Sequence, residues 1–337
     1  MSELWLDEGI VLELTSSGAG YLVIPRRRLR LRVGLGVIRF LCNVAQSNSE
    51  GRGMVVSDLG AQPELRKAIF ELKAASVLVD RRPEENDTSD YLTLIERAVL
   101  RMAQVGGCFT SVLATDRIAP PRFSLIKGTA TPMVLPDPVV PDGVDLWHVL
   151  RERRSRRGGP SRTVSIGNVS ALLAYSHRVQ RATEDNFGEI SFRPVASGGA
   201  RHPIDVCVVA LRVEGLTAGV YQYDPLAHAL HSTSIPLENA TLLSRIALSA
   251  LVHRPETLPA FTLLFAIVPG RTGCKYSNSA LLTIAKDVGC LIQQLYLVVD
   301  GLKLFGTAID GADTATVEAA LGIAGTAHTF LGGFLVW

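Results

Sequence analysis

The stretch from Arg193 to Asp205, RPVASGGARHPID, is the most informative part of the sequence. It places Ser197 and two adjacent glycines shortly before a run of apolar residues, 206–211. A short apolar run of this kind predicts a buried strand. Because glycine has no side chain to obstruct an approaching group, the loop before the strand can bring its backbone against a flat ligand. An ordinary turn that precedes a strand is the alternative.

The sequence around this stretch predicts strands and helices in mixed order. Apolar runs and turn residues predict strands, and apolar residues at helical spacing predict helices. The strands are expected at 204–213, 219–223, 260–269 and 328–337, and the helices at 143–153, 167–182, 239–252 and 278–304. This order is typical of an α+β domain.

The first 119 residues predict a separate small domain. Its expected elements follow one another in an order similar to that of a winged-helix module. They are two short strands within 9–32, helices near 34–46, 62–75 and 90–105, and a strand at 75–81.

Prolines mark the boundary between this domain and the rest of the chain. Six of the 17 prolines fall within residues 120–141. Such a density excludes a helix or a central strand, because proline lacks an N–H group and fixes its backbone. We therefore predict an extended connector at 120–141 between domains 1–119 and 142–337.

The composition is that of a folded protein with balanced charge. The 337 residues include 34 Lys or Arg and 32 Asp or Glu, and the net charge of +2 argues against a general polyanion binder. The hydrophobic content of 47% excludes a largely disordered chain. The chain starts without a basic segment followed by an apolar one, and the apolar stretch 260–268 is too short to cross a bilayer. We expect a cytoplasmic protein that does not enter the membrane.

The cysteines and histidines predict no metal site. The five cysteines contain no CxxC pair, and the seven histidines show neither HxxxH nor HExxH spacing. The sequence also lacks the glycine motifs of P-loops and dinucleotide-binding folds.

Two arginine clusters offer positive charge. The first contains Arg26, Arg27, Arg28, Arg30 and Arg32. Its alternating part puts arginines on one face of a strand, which is either a solvated edge or a surface for an acidic peptide or, less readily, nucleic acid.

The second cluster, residues 151–157 (RERRSRR), has two interpretations. Arginines near the last turn of a helix interact favourably with the helix dipole. Alternatively, guanidinium groups bind phosphate oxygens in pairs, and Ser155 can add a hydroxyl to such a site.

Taken together, the motifs resemble the flavin-dependent nitroreductase fold family, and within it the SagB-type dehydrogenases that oxidise azoline rings in ribosomal peptide natural products. Residues 193–205 are similar to the pattern R-x-Y-P-S-A-G-A-x-x-P-x-E, and residues 215–224 to G-L-x-x-G-x-Y-x-Y-D. Residues 275–276 match a K-Y pair, and residues 287–295 a D-x-G-H-x-x-Q-N-L helix. The resemblance covers about residues 147–337.

The resemblance implies a fold and a cofactor. The implied fold is α+β, with a central antiparallel sheet flanked by helices and an intertwined homodimer that binds FMN at the subunit interface. The family motif R-x-S-x-K/R, which holds the FMN phosphate and ring, is matched from Arg153 to Arg157. The expected cofactor contacts are Arg153, Arg154, Ser155, Arg157, Ser197, Gly198, Gly199 and Gln294.

The resemblance also implies that Lys275 and Tyr276 supply the catalytic base or proton donor. Free tyrosine titrates near ~10 and free lysine near ~10.4, so either group would need a lowered pKa to act as a base near neutrality. Proton removal from the ring together with hydride transfer to the flavin would convert an azoline into an azole. Without the resemblance, the pair would be a lysine at a helix entry beside a half-buried tyrosine.

Several positions depart from the family pattern. Ala196 replaces a proline, Cys290 a histidine and Gln294 an asparagine, and Asp205 is shorter than the usual acid. The sequence ends at Trp337 without a terminal arginine or lysine, so we expect the remaining positive charge from the arginine cluster or a partner subunit.

The predicted function is FMN-dependent oxidation of azolines to thiazoles or oxazoles in a precursor peptide. The N-terminal domain would hold the leader of that peptide or dock a cyclodehydratase. Two alternatives share the fold: an NAD(P)H-dependent reductase of nitro compounds or quinones, and a flavin-free scaffold subunit. A nucleic-acid-binding regulator built on the N-terminal arginines is a third alternative, which we do not favour.

Overall fold

A computed structural model describes most of the second half of the chain and separate segments of the first. The described residues are 3–6, 11–14, 20–24, 29–33, 35–49, 54–55, 63–74, 78–79, 119–123, 132–139, 143–251, 253–276, 279–310 and 312–337. The chain divides into two compact units, Met1–Phe109 and Thr110–Trp337.

The described part of the first unit contains two small antiparallel sheets and two helices. Strand β1 lies between β5 and β6, and strands β2, β3 and β4 follow one another in a second sheet. The elements are β1 (Glu3–Leu6), β2 (Val11–Leu14), β3 (Gly20–Ile24), β4 (Leu29–Val33), α1 (Leu35–Ser49), β5 (Met54–Val55), α2 (Pro63–Ala74) and β6 (Leu78–Val79). Their buried side chains include Leu22, Phe40, Val44 and Leu72.

The two helices predicted near 34–46 and 62–75 are therefore confirmed. Arg30 and Arg32 lie in β4, whereas the other arginines of the first cluster and the helical pattern at 90–105 lie outside the described residues. The winged-helix interpretation and the proposed domain limits stay predictions.

The second unit is built on a seven-stranded antiparallel sheet with the order β16-β17-β15-β11-β13-β14-β7. Its strands are β7 (Met133–Val134), β11 (Ile204–Ala210), β13 (Gly219–Asp224), β14 (Ala229–Ser232), β15 (Phe261–Ile267), β16 (Gly306–Ile309) and β17 (Thr329–Val336). The two central strands β11 and β15 bury every residue, which explains their continuous apolar runs.

Helices cover both faces of this sheet. Apolar side chains of α4 (Ile166–His177) and α7 (Ala280–Gly301) form one core with the sheet, and those of α5 (Leu237–Ser249) and α8 (Thr314–Leu321) form the other. The predicted α+β fold with a central antiparallel sheet between helices is confirmed. The remaining elements are α3 (Leu146–Glu152), α6 (Pro269–Gly273), β8 (Val164–Ser165), β12 (Val213–Glu214), β9 (Arg181–Asp185) and β10 (Gly188–Phe192).

Some predicted elements differ from the structure. The helix expected at 167–182 ends at His177, and the hairpin of β9 and β10 follows it. The hairpin escaped prediction because its sequence is largely polar and its first strand exposes most of its residues, so no apolar alternation marks it. Strands β14 and β16 and helix α8 were also not predicted.

Part of the proline-rich segment pairs with the sheet. β7 forms its edge strand beside β14, and the N–H of Leu135 donates to the carbonyl of His228 at 3.0 Å. An edge position suits this segment, because proline has no N–H group and a strand at the edge needs hydrogen bonds to only one neighbour.

Helix α7 is the longest helix among the described residues, and it is long and apolar enough to span a membrane by length and composition alone. It instead turns one stripe toward the sheet. The buried side chains at helical spacing include Ile284, Val288, Leu291, Leu295 and Val299. The rest of the helix surface is left more open, since only 39% of its most apolar window is buried.

A buried ion pair joins the start of β11 to α6. Arg271 and Asp205 are 1% and 2% exposed, and the guanidinium donates to both carboxylate oxygens at 2.7 and 3.0 Å. Arg271 Nε also donates to the carbonyl of Pro121 at 2.7 Å, and His328 Nε2 lies 3.2 Å from Asp205 Oδ2. The pair therefore links four separate parts of the second unit.

Replacing Arg271 by methionine is expected to lower the free energy of unfolding by about 3–5 kcal/mol, because it leaves the buried carboxylate of Asp205 without its cation. Urea denaturation followed by circular dichroism measures the change. The matched control is Arg156→Met, which removes a partly exposed pair with Asp300 at 3.7 Å and should cost only about 0–1 kcal/mol. Equal costs for the two variants would contradict the structural role of the buried pair.

Candidate active site

The loop that enters β11 makes a tight turn at Gly199. Ser197 is extended, residues Gly198–Ala200 form one turn of 3-10 helix, and Gly199 has φ of +63°. Ala200 and His202 also have positive φ values, 57° and 43°, which residues with side chains rarely adopt. A backbone of this kind persists only where its surroundings hold it.

Asp287 on α7 holds this loop. The hydroxyl of Ser197 donates to Asp287 Oδ2 at 2.6 Å, and the N–H of Gly198 donates to Oδ1 at 2.9 Å. The N–H of His202 donates in turn to Ser197 Oγ at 2.9 Å. Burial raises the pKa of Asp287, although the two hydrogen bonds oppose this effect. The sequence analysis matched Asp287 to a family motif without assigning it a role.

The two glycines allow close packing around the loop. A Cβ atom on Gly198 would collide with Thr283 Cγ2, and one on Gly199 would lie 2.8 Å from the Tyr276 hydroxyl and 3.4 Å from Lys275 Cδ. The predicted catalytic pair therefore lies against the predicted glycine loop. Ser197, Gly198, Gly199, Lys275 and Tyr276, which are up to 79 residues apart in sequence, are brought together at this place.

Helix α6 and the turn after it position the pair. The N–H groups of Lys275 and Tyr276 both donate to the carbonyl of Thr272, at 3.1 and 2.9 Å. Lys275 Nζ lies 3.8 Å from Asp185 Oδ2 at the end of β9. No sequence signal pointed to Asp185, because it belongs to the hairpin that the apolar pattern missed.

The predicted phosphate cluster follows α3 and contacts a different part of α7. The guanidinium of Arg153 is 5.0 Å from the centre of the Tyr296 ring, and Ser155 Oγ donates to the Tyr296 hydroxyl at 3.0 Å. The Tyr296 hydroxyl also accepts from the N–H of Ala308 at 2.9 Å. Tyr296 thus joins this cluster to β16.

The other predicted cofactor residues do not share one location or one partner. Arg154 donates to the backbone carbonyls of residues 151 and 153, and Arg157 is exposed. Gln294 donates through its amide to the carbonyl of Tyr175, at 2.8 Å, and so joins α7 to α4. Arg156, which was not predicted as a site residue, pairs with Asp300.

Within one chain the two clusters are separate. Asp287 and Tyr296 are nine positions apart on α7, which corresponds to about 14 Å along the helix axis. The structure therefore brings the catalytic pair to the glycine loop, but it does not bring Arg153 and Ser155 there.

Arg193, the first residue of the motif that contains the loop, is buried. Arg193 Nη1 donates to His177 Nε2 at 2.6 Å. Burial, reinforced by Arg193, lowers the pKa of His202 to about 3, so this histidine is neutral at physiological pH. Its place in the motif is structural, because its backbone N–H donates to the hydroxyl oxygen of Ser197.

Within the described part of the chain, no group of three or more His, Cys, Asp or Glu side chains could hold a metal ion.

No family profile matches the sequence. A protein of Methanocaldococcus jannaschii with a provisional nitroreductase name is 28% identical over 169 residues, which cover 50% of this chain and 79% of that relative. A crystal structure from Anabaena variabilis, also provisionally a nitroreductase, superposes with a TM-score of 0.53 at 17% identity and covers 76% of this chain. The chain has a nitroreductase fold.

The two solved structures are matched over different shares of their own length. The match spans 50% of the Anabaena variabilis chain, about half of its length. The E. coli microcin synthetase McbBCD complex with truncated pro-MccB17 bound superposes less closely, with a TM-score of 0.47 and 20% identity over 82% of this chain and 93% of that chain.

Replacing Asp287 by alanine is expected to loosen the loop of this fold and to lower the free energy of unfolding by about 1–3 kcal/mol, because two partly buried donors lose their acceptor. Hydrogen–deuterium exchange should become faster at residues 197–202. The neighbouring exposed residue supplies the control, since Lys286→Ala changes the same helix without touching the loop. Unchanged exchange in the Asp287 variant would show that the loop does not depend on this carboxylate.

Proposed function

We propose that this protein is a soluble FMN-dependent oxidoreductase that oxidises azoline rings to azoles in a ribosomally made peptide. The observation that carries the proposal is the placement of Lys275 and Tyr276 against the Ser197–Gly199 loop. These residues come from two distant motifs that resemble those of SagB-type dehydrogenases, and in the proposal they form one site. The nitroreductase name of the Methanocaldococcus jannaschii relative supports the oxidoreductase class.

The donor set around Ser155 fits the phosphate of FMN. Arg153, Arg154 and Arg157 carry three guanidinium groups within five residues, and such groups bind phosphate oxygens in pairs. The nearby Asp300 pairs with Arg156 and so leaves these three charges for an anion. In the proposal, Arg153, Arg154, Ser155 and Arg157 hold the phosphate.

The Ser197 loop would hold the ring system of the cofactor. Its backbone is fixed by Asp287, so it can meet a ligand without first becoming ordered. Bound FMN would supply the hydride acceptor that no amino-acid side chain provides. Gln294 is less suited to a direct contact, because its amide already donates to Tyr175.

Lys275 and Tyr276 would handle the proton of the substrate ring. Both side chains follow α6 and lie against Gly199 of the Ser197 loop. The side chain of Lys275 is 21% exposed, so a substrate can reach this site. Proton transfer requires a donor or acceptor held within hydrogen-bond reach of the reacting atom. The hydroxyl of Tyr276 and the amine of Lys275 are neighbours that can share this task.

A homodimer would join the two separate clusters. A second subunit could present its own Ser197 loop to the arginine cluster of the first, so that one cofactor contacts both. The exposed apolar side chains support such an interface, since Leu146 and Trp147 on α3 and Leu281 on α7 are 56%, 67% and 60% exposed. Leu146 and Trp147 are adjacent on α3, whereas Leu281 lies in the first turn of α7, so the proposed interface would extend along that helix.

A precursor peptide and a cyclodehydratase are the proposed partners. Azolines arise when a cyclodehydratase closes a side chain onto the preceding carbonyl, so this enzyme would act on that product. Residues 1–119 would hold the peptide or the partner enzyme, which raises the local concentration of a ring in a flexible chain.

A nitro- or quinone-reductase is the second candidate, and the names of the relatives favour it. The two functions differ in the compound that reduces the flavin.

Purified protein loaded with FMN is expected to show the flavin absorption bands and to bleach anaerobically with an azoline peptide. Bleaching by NADPH but not by any azoline peptide would support the reductase, and a protein that takes up no FMN would support the scaffold.

Replacing the catalytic pair tests the proposed chemistry. Lys275→Ala and Tyr276→Phe are expected to retain flavin and to lose azoline oxidation by roughly 100-fold or more, the size typical of losing a general acid or base. Single-turnover bleaching by the peptide measures the loss, and Lys286→Ala is the control for removal of a lysine. Wild-type rates in both variants would exclude the pair from catalysis.

Charged substitutions of the exposed apolar residues on α3 and α7 test the proposed homodimer. Trp147→Glu combined with Leu281→Glu is expected to shift the protein from dimer to monomer and to reduce FMN retention, because a charge in an apolar interface loses its hydration. Light scattering after size-exclusion chromatography gives the mass. Glu substitutions at Leu226 and Leu242, which are also exposed, serve as the matched control. A dimer that persists in the first variant would exclude this surface as the interface.

A further inference from the structure

The turn of the β9–β10 hairpin places a carboxylate beside the catalytic lysine. Asp185 is the last residue of β9, and Gly188 opposite it is the first residue of β10. The two residues between them, 186 and 187, form the turn. Lys275 Nζ is 3.8 Å from Asp185 Oδ2, and its side chain is 21% exposed.

Asp185 uses both of its oxygens. Oδ1 accepts from the N–H of Phe187 at 2.9 Å and from the guanidinium of Arg201, which is fully buried, while Oδ2 faces Lys275. Burial alone would raise the pKa of Asp185, but the hydrogen bonds from Arg201 and Phe187 and the charge of Lys275 outweigh it, so the pKa is lowered. The carboxylate is ionised at neutral pH.

The hairpin is itself held in place by residues 119–123. The N–H of Ala119 donates to the carbonyl of Phe187 at 2.9 Å. The backbone N–H and the guanidinium of Arg122 donate to the two oxygens of Glu189 at 3.0 and 2.6 Å. These bonds lower the pKa of Glu189. These bonds therefore fix the position of the hairpin, and with it the position of Asp185 beside Lys275.

Aromatic rings complete the surroundings of the lysine. Lys275 Nζ is 5.9 Å from the centre of the Phe187 ring and 5.7 Å from that of Tyr276. An ammonium group near the face of an aromatic ring is attracted by the ring electrons. The charged groups described around Lys275 are thus Asp185 and Arg201, with the hydroxyl of Tyr276 beside them.

We infer that Asp185 is a positioning residue, which holds the ammonium group of Lys275 beside Tyr276 and the Gly199 turn. The inference rests on the proposed catalytic role of Lys275 and extends it to the hairpin. Lys275 Nζ lies 5.7 Å from the centre of the Tyr276 ring, so its positive charge is beside that tyrosine. Such a charge stabilises negative charge that develops on a neighbouring oxygen during proton transfer.

The first experiment measures the reactivity of Lys275 without any turnover. The full-length protein is treated with limiting acetic anhydride, and acetylation of Lys275 is followed by mass spectrometry relative to the exposed Lys286. Asp185→Asn is expected to accelerate labelling of Lys275 about three- to fivefold, the size expected when a partly buried ion pair is lost. Glu184→Gln, on the exposed neighbouring position of β9, should label as the wild type does.

The second experiment measures turnover. Asp185→Asn is expected to lower kcat for the azoline peptide roughly tenfold with little change in KM, because the lysine is misplaced while the substrate still binds. Asp185→Glu should recover part of the loss. In a Lys275→Gln background, Asp185→Asn should cause no further loss of the residual rate, whereas a purely structural role would cost the same in either background.

The two experiments separate the possible failures. Wild-type labelling and turnover in Asp185→Asn would overturn the positioning role and leave the proposed function intact. Faster labelling in a protein that oxidises no azoline peptide would support the Asp185–Lys275 pair and overturn the proposed function.

A second substitution covers the case in which Asp185→Asn does not fold. Asp185→Ser keeps an oxygen that can accept from the N–H of Phe187 and from Arg201, and it removes the negative charge beside Lys275. Labelling of Lys275 at the wild-type rate in Asp185→Ser would overturn the inference, and faster labelling would support it.

Discussion

The carboxylate of Asp287 is the point on which the candidate site depends. It accepts the hydroxyl of Ser197 and the N–H of Gly198, and so fastens a loop with left-handed backbone to the long helix α7. The same helix is fixed to the central sheet by a stripe of five or more apolar side chains. Because the loop is tied to a rigid element, Gly199 can meet Tyr276 at close range. The interaction thus fixes one of the two distant motifs, and Tyr276 of the other motif packs against it.

The sequence predicted the parts of the structure that carry a strong physical signal. The apolar runs of β11 and β15 and the repeat of α7 identified the core, and the glycines after Ser197 identified the loop. The hairpin with Asp185 has no such signal, since its polar residues neither alternate nor repeat. The link between Asp287 and Ser197 spans 90 residues, and a single sequence contains no information on that pairing.

The two clusters contact α7 at separate places, and this separation shapes the proposed function. A residue motif shows which groups are available, but only the fold shows where they lie. Arg153 and Ser155 contact Tyr296, whereas the loop contacts Asp287 about two and a half helical turns earlier. A symmetric pair of chains would reconcile a cofactor that needs both clusters with a helix that keeps them apart. The apolar residues left uncovered on α3 and α7 are consistent with that arrangement.

The edge strand β7 has a consequence for the solubility of the protein. It contributes only two residues, and prolines on both sides prevent it from extending. A short strand flanked by prolines is a poor template for additional strands, so it shields β14 from intermolecular pairing. A truncated chain that begins after Leu135 would expose the hydrogen-bonding groups of β14, and such a fragment would tend to aggregate through that uncovered edge.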